Sequence, residues 1–357
     1  MFSGNTVDTT RIWGENDADV MINSLQMAYP GFPHTTVSWK PNGLVLAPAD
    51  TFQYAFTAAS LVHHPNNAPI LLVGEKLTEA LRQEMVRLLP TRNHMTPQVL
   101  LIGPVSETIE QQVRNLGLST KRIGNQNPYE TSVAVSVERL ALPPMSEQGQ
   151  HNLFLVSGET YLESMCVPNY AMHQGQPVLL TRRTELPPLV WQFLAEHRTM
   201  NAYIVGSEAT ISQEVERTVR RTLSGSVTRI TGTSPYEMSV QFARFFDPYT
   251  GVGWNRNQPA SGDAFSFVPA SNWRLAIFSG LFSHFGKHAP LLVTEPEQLP
   301  PVVLSYLYNL NPPRSGSTQP PYMHGFIFGN YDAVSYPTQV NIEEAITVRE
   351  HDEGQMK

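Results

Sequence analysis

The residues with the most suggestive chemistry are Ser271, Asn272, Trp273 and Arg274, which stand together at the start of an apolar helical stretch. An indole face stacks on a sugar ring, and a guanidinium forks onto a carboxylate or phosphate. The competing reading is that Trp273 fills the apolar position held by Phe52 and Tyr161 in similar stretches upstream. Other candidates fail on spacing. His63 and His64 are adjacent, so on a helix they point in different directions, and no His-x-x-x-His or Glu-x-x-His companion makes them a metal site. Ser157-Gly158 follows an apolar run but lacks the G-x-S-x-G context of a nucleophile turn. Gly251-Val252-Gly253 sits in a polar loop rather than after a buried strand, and no P-loop is present. The one cysteine, Cys166, lies in an apolar stretch and reads as core filler. The expectation is a protein without catalytic residues, metal or cofactor.

Stepping outward to the elements that carry these residues, four signatures recur three times in the same order. The first is Arg-Ile before a helix start, at Arg11-Ile12, Arg122-Ile123 and Arg229-Ile230. The second is an apolar strand running into a small residue, at Leu44–Ala49, Leu153–Gly158 and Phe265–Ala270. The third is a Pro-led apolar run, at Pro69–Val73, Pro177–Thr181 and Pro290–Thr294. The fourth is a strand ending at Gly103, Gly206 and Gly329. Helical periodicity fills the gaps, as in Leu77–Leu89, Leu186–Leu194 and Leu299–Leu307. Apolar strands alternating with helices predict mainly parallel sheets covered on both faces, that is, three Rossmann-like or flavodoxin-like α/β units in a pseudo-threefold arrangement.

The predicted divisions are an amino-terminal arm at 1–10, repeat units at 11–121, 122–228 and 229–348, and a disordered tail at 349–357. Longer Pro- and Gly-rich loops fall at Tyr29–Gly43, Leu142–His151, Asp247–Asp263 and Asn311–Tyr322. In Asn127-Pro128-Tyr129-Glu130 and Ser234-Pro235-Tyr236-Glu237 a polar cap, a proline at the first helical position and a returning acid predict helix starts; Asn16-Asp17-Ala18-Asp19 keeps the cap and the acid. Arg11, Arg122 and Arg229 recur in every copy and are expected to pair with acids of their own or a neighbouring unit; with Glu130 and Glu237 they form the predicted inter-repeat contacts.

With 24 basic against 31 acidic residues and no basic block, the chain is a poor partner for nucleic acid. Nothing approaches the roughly 18 uninterrupted apolar residues of a membrane span, so no membrane insertion is expected. The first 19 residues show neither the basic nor the apolar region of a signal peptide, which predicts a cytoplasmic product that reaches a cell or spore surface, if at all, by a non-classical route.

The run Arg-Ile-x-Gly-x-x-Pro-Tyr-Glu-x-Ser, followed by the Pro-x-Leu-Leu and Val-Gly strands, resembles the cell wall binding repeat 2 family over about residues 11–347. The resemblance implies a pseudo-trimer of Rossmann-like units that holds anionic cell-wall polymers noncovalently. On that reading Ser271, Asn272, Trp273 and Arg274 are the polymer-binding candidates, because Asp50 and Glu159 stand at the matching turns of the other copies. The family's basic residue before Tyr-Glu is missing from all three copies, and of Tyr54, Glu163 and Leu275, which match a family aspartate, only Glu163 keeps the charge. Three functions stay open: a noncatalytic binder of a cell-wall glycan, anionic polymer or protein partner; a structural protein of a surface or spore layer that assembles with itself or others; and an intracellular enzyme on a Rossmann-like scaffold.

Overall fold

The computed structural model of the chain describes residues 6–30, 40–91, 97–143, 151–258, 264–285, 288–310 and 323–347. The predicted tail, the middles of the first two long loops, the end of the third and all of the fourth lie outside these residues.

Twelve strands and twelve helices alternate along the described chain. They run β1 (Thr9–Ile12), α1 (Asp17–Ala28), β2 (Leu44–Pro48), α2 (Phe52–Ala58), β3 (Ile70–Val73), α3 (Glu79–Leu88), β4 (Val99–Ile102) and α4 (Glu107–Asn115). Then come β5 (Thr120–Ile123), α5 (Pro128–Leu140), β6 (Asn152–Ser157), α6 (Val167–Gln174), β7 (Val178–Thr181), α7 (Pro188–Glu196), β8 (Asn201–Val205) and α8 (Gln213–Thr222). The last are β9 (Val227–Ile230), α9 (Pro235–Arg244), β10 (Ala264–Pro269), α10 (Trp273–His284), β11 (Leu291–Thr294), α11 (Pro301–Leu310), β12 (His324–Phe328) and α12 (Tyr336–Ile346).

They form three four-stranded sheets, β3-β2-β4-β5, β7-β6-β8-β9 and β11-β10-β12-β1, every pair parallel. The α/β architecture in three units is therefore as the hydrophobic pattern predicts. Each Arg-Ile strand, however, is the edge strand of the sheet before its own sequence copy: β5 pairs with β4, and β9 with β8. The amino-terminal β1 closes the cycle by pairing with β12. The following helix crosses to the next unit, where α5 covers β7 and α9 covers β11.

Alternation along the strands explains the layers. In β6, Leu153 and Leu155 join an outer core with Val190, Phe193 and Val215 of α7 and α8, while Phe154 and Val156 face the inner core. That inner core is common to all three units and contains α2, α6 and α10. Residues Leu275–Ser283 of α10 are buried on every side, as expected of a helix apolar all round. Gly280 permits the closest approach: a Cβ there would lie 2.1 Å from Sδ of Met172. Asn169 of α6 donates to Ser279 Oγ at 3.0 Å and Ser283 Oγ at 3.2 Å, so buried hydrogen bonds join these two helices. Cys166 is buried beside them, and burial pushes its thiol up to about 12, which leaves it protonated and inert.

Candidate functional site

The carboxyl ends of the parallel strands, where helix N-termini present free N–H groups, are the natural ligand positions of this architecture. The first helix after each Arg-Ile strand starts there, on the predicted cap. Asn16 accepts from Asp19 N at 3.1 Å, Asn127 from Tyr129 N at 3.0 Å, and Ser234 from Glu237 N at 3.1 Å. The three crevices then diverge at the second residue of that helix, which is Ala18, Tyr129 or Tyr236.

In the second unit the Tyr129 ring lies so close to Gly158, the residue after β6, that a Cβ there would meet it at 2.6 Å. The Arg182 guanidinium, from the residue after β7, covers the ring at 5.0 Å. In the third unit the Tyr236 hydroxyl hydrogen-bonds Glu295, the residue after β11. Burial first, then this carboxylate, raises the Tyr236 hydroxyl above its usual range. In the first unit both partners are small: Ala18 replaces the tyrosine and Gly74, after β3, replaces its cover. A cleft of about 830 Å³ opens there, bounded by Pro48, Ala49, Asp50, Val73, Glu75, Pro104, Val105 and Ser106, with Asn16 and Asp17 at one side and Arg274 reaching in from the third unit.

The electrostatics are acidic. Asp17 accepts from Asn272 Nδ2 at 2.7 Å and lies 3.7 Å from Arg274 Nη1. Arg274 also donates from Nε to the Ala49 carbonyl at 2.6 Å. Asp50 and Glu75 have no cationic partner among the described residues. Ionised carboxylates only accept hydrogen bonds, so the cleft offers acceptors to hydroxyl and ammonium groups and repels phosphate. No cluster of three or more metal-ligating side chains occurs among the described residues.

The predicted site residues are brought together only in part. Asn272 caps α10 through Arg274 N at 3.1 Å, Arg274 lines the cleft, and the Ser271 carbonyl accepts from the Tyr161 hydroxyl at 3.4 Å. Trp273 is corrected: it is only 6% exposed, packs edge-on to Phe56 at 6.4 Å and carries Arg274 over its ring at 5.0 Å, which leaves no face for a sugar. Its counterparts Phe52 and Tyr161 meet at 5.7 Å. The Arg274 contact has a relative in Gln53, which donates to the Gly158 carbonyl at 3.0 Å, whereas the corresponding residue of the second unit is Leu162.

The recurring arginines tie each edge strand to the loop after its neighbour. Arg122 reaches back to the Val105 carbonyl at 2.5 Å and Glu110 at 2.8 Å; Arg229 to the Gly206 carbonyl and Glu216, both at 2.7 Å. Arg11 donates to the carbonyls of Gly329 and Asn330 at 3.0 Å, to that of Val334 at 2.8 Å and to Gln339 at 2.9 Å, joining the two ends of the chain. Glu130 and Glu237 depart from the predicted inter-repeat role. Glu130 accepts from Asn125 at 2.8 Å and Asn127 at 3.0 Å, and Glu237 from Thr233 N at 2.8 Å, because a carboxylate at this helical position is within reach of its own cap. Glu163, the one acid kept at the family's aspartate position, accepts from Ser207 N at 2.6 Å and Thr210 Oγ1 at 2.7 Å, bracing the loop after β8.

The Cell wall binding domain 2 (CWB2) family profile matches residues 122–216, the span from the Arg-Ile strand of the second unit into α8. The second unit is thus similar to cell wall binding domain 2. The structure of Cwp6 from Clostridium difficile superposes with a TM-score of 0.76 at 15% identity, over 96% of this chain and 48% of that one, and shares the fold. Among sequences, N-acetylmuramoyl-L-alanine amidase LytC of Bacillus subtilis (strain 168) is 25% identical over 204 residues, which is 56% of this chain and 37% of the amidase. The amidase enhancer of the same organism is 26% identical over 212 residues, 58% of this chain and 26% of that protein. The chain thus spans well under half the length of either of these curated relatives. Ala18 and Gly74 carry the difference among the crevices and were visible in the aligned copies, yet nothing in the alignment says that a missing ring leaves a cleft rather than a collapsed loop.

Proposed function

We propose that this chain is a noncatalytic cell-wall binding protein and that its first-unit cleft holds a sugar residue of a wall glycan. The observation that carries the reading is the paired loss of Tyr and cover at Ala18 and Gly74, which opens a cleft of about 830 Å³ at the carboxyl end of the first unit's parallel sheet. This volume is in the range of small-molecule sites, roughly 300–1,000 Å³. Its carboxylates suit hydroxyl or amino groups of a glycan, and Arg274, engaged by Asp17 and the Ala49 carbonyl, forms its wall toward the third unit. The relatives' amidase and amidase-enhancer names do not carry over as activities; the shared stretch is read as the wall-binding part. No helix among the described residues is long and apolar enough to cross a membrane, and the reading places the protein against the wall.

Retention on purified Gram-positive cell walls tests this reading directly. Wild type is expected to be retained at low salt, and Ala18→Tyr, which restores the ring of the sister units, to be released with its folding intact. Equal retention of the two proteins sinks the assignment to the cleft; no retention of either sinks wall binding itself.

The self-assembling structural role is supported by one observation, the exposed Phe246 and Tyr249 (42% and 95% exposed) in the loop beside edge strand β9. Light scattering across a concentration series distinguishes it: a monomer at every concentration argues against it.

A further inference from the structure

On the outer face of the second unit, far along the chain from the cleft residues, a groove of about 440 Å³ lies between α7 and the carboxyl-terminal half of α8. Its walls are Trp191, Ala195 and Arg198 on one side and Thr218, Arg221 and Thr222 on the other. Residues 191 and 195 share one face of α7, Arg198 lies in the turn just after that helix, and 218, 221 and 222 share one face of α8. The groove is therefore a product of two helices meeting rather than of one loop.

Two features distinguish it from ordinary helix surface. Trp191 is 49% exposed, although the flanking Val190, Phe193 and Leu194 are buried in the outer core. An indole half out of water on a rigid helix is a ready stacking surface. The second feature is charge. The carboxylates of α8 are engaged, Glu214 by Arg217 at 2.6 Å and Glu216 by Arg220 at 2.6 Å and Arg229 at 2.7 Å. On α7, Glu196 accepts from Gln192 at 2.8 Å. Neither Arg198 nor Arg221 forms an ion pair among the described residues, although Arg221 adds to the lowering of Glu214 from two turns along α8; Arg198 donates from Nε to the Thr222 carbonyl at 3.1 Å.

The sister units lack the combination. Counted from the buried Leu81, Val190 and Val303, the place of Trp191 is taken by Arg82, which is paired with Glu79 at 2.8 Å, and by Leu304. Counted from the capping serines Ser106, Ser212 and Ser335, the place of Arg221 is taken by Asn115 and Glu344. An aromatic face with two guanidiniums is thus specific to the second unit.

We propose that this groove binds an anionic saccharide, one sugar ring stacking on Trp191 while its carboxylate or phosphate pairs with Arg198 and Arg221. The inference is compatible with the wall-binding reading and rests on different residues. The acidic first-unit cleft and this basic groove take opposite parts of a charged glycan: hydroxyl or amino groups in one, the acidic substituent in the other.

Calorimetric titration of the full chain with oligogalacturonate, with maltohexaose as the neutral arm and polyphosphate as the sugar-free arm, tests it. Oligogalacturonate is expected to bind, to weaken with salt, and to lose about tenfold in affinity in Trp191→Ala and in Arg221→Ala, with Trp191→Phe retaining most of it. Ala18→Tyr should leave this binding unchanged, so failure here and failure of the cleft are read separately. The proposal is overturned if oligogalacturonate does not bind, if polyphosphate binds as well as the saccharide in both wild type and Trp191→Ala, or if Trp191→Ala binds like wild type while its thermal unfolding is unaltered.

Discussion

The crevice of the first unit and that of the second are built on corresponding strands, caps and arginine braces, and two side-chain differences decide which of them is open. Tyr129 beneath Arg182 closes one; Ala18 opposite Gly74 leaves the other open. Such a change leaves the backbone in place because the frame is held elsewhere, by the common inner core and by the arginines behind each edge strand. Divergence in function here requires no divergence in fold.

The sharpest way to break that comparison is to attack the frame. Arg11→Ala removes a guanidinium that is 7% exposed and leaves several buried carbonyls without their donor, so stability measured by denaturant unfolding should fall by about 3 kcal/mol. A loss well below about 1 kcal/mol would mean that β1 does not close the ring in this way.

Next is Tyr129→Ala, which makes the second crevice resemble the first. Because the ring is half-buried, the expected cost is about 2 kcal/mol, below that of a fully buried aromatic. The reverse change, Ala18→Tyr, should cost less, and a crystal structure of it should show the new ring over Ala49 as Tyr129 lies over Gly158. A ring turned out into solvent would refute the equivalence of the crevices.

A smaller effect, about 1 kcal/mol, is expected for Asn127→Ala, which removes the oxygen that receives Tyr129 N. Asn16→Ala in the first unit should match it if the caps are as alike as the geometry implies.

The least visible effect is one of pH, at the opposite end of the inner helices. There His63 packs on His284 at 5.5 Å and His173 on His288 at 4.5 Å. Burial first, then Arg139 and His64, lowers His63 to about 4; burial, then the neighbouring histidines, lowers His173 and His284 to about 3, with Arg256 adding to the effect on His173. Below about pH 6.5 the unfolded chain binds protons that these folded imidazoles refuse, so stability falls as pH drops from about 6.5 toward about 3. The second unit has Met172 at the position of His63 and His284. His284→Met should therefore shrink the loss of melting temperature between about pH 7 and about pH 4, measured by circular dichroism. An unchanged loss would exclude His284 as a contributor.

The repeat, the alternation of strand and helix, the caps at Asn16, Asn127 and Ser234 and the burial of Cys166 were all legible in the residues. They depend on local periodicity and short-range hydrogen bonding, which a linear chain records. The partner of each edge strand is not legible in the repeat: Arg122-Ile123 opens a sequence copy yet completes the sheet before it, because parallel pairing is decided by which strand lies alongside in space. The same reason separates the site residues. Trp273 and Arg274 are adjacent in the chain, but packing turns the ring toward Phe56 and leaves the guanidinium at the mouth of another unit's cleft. The presence of the aromatic and the cation was determined by the sequence; which of them meets solvent was decided only when three units closed around one core.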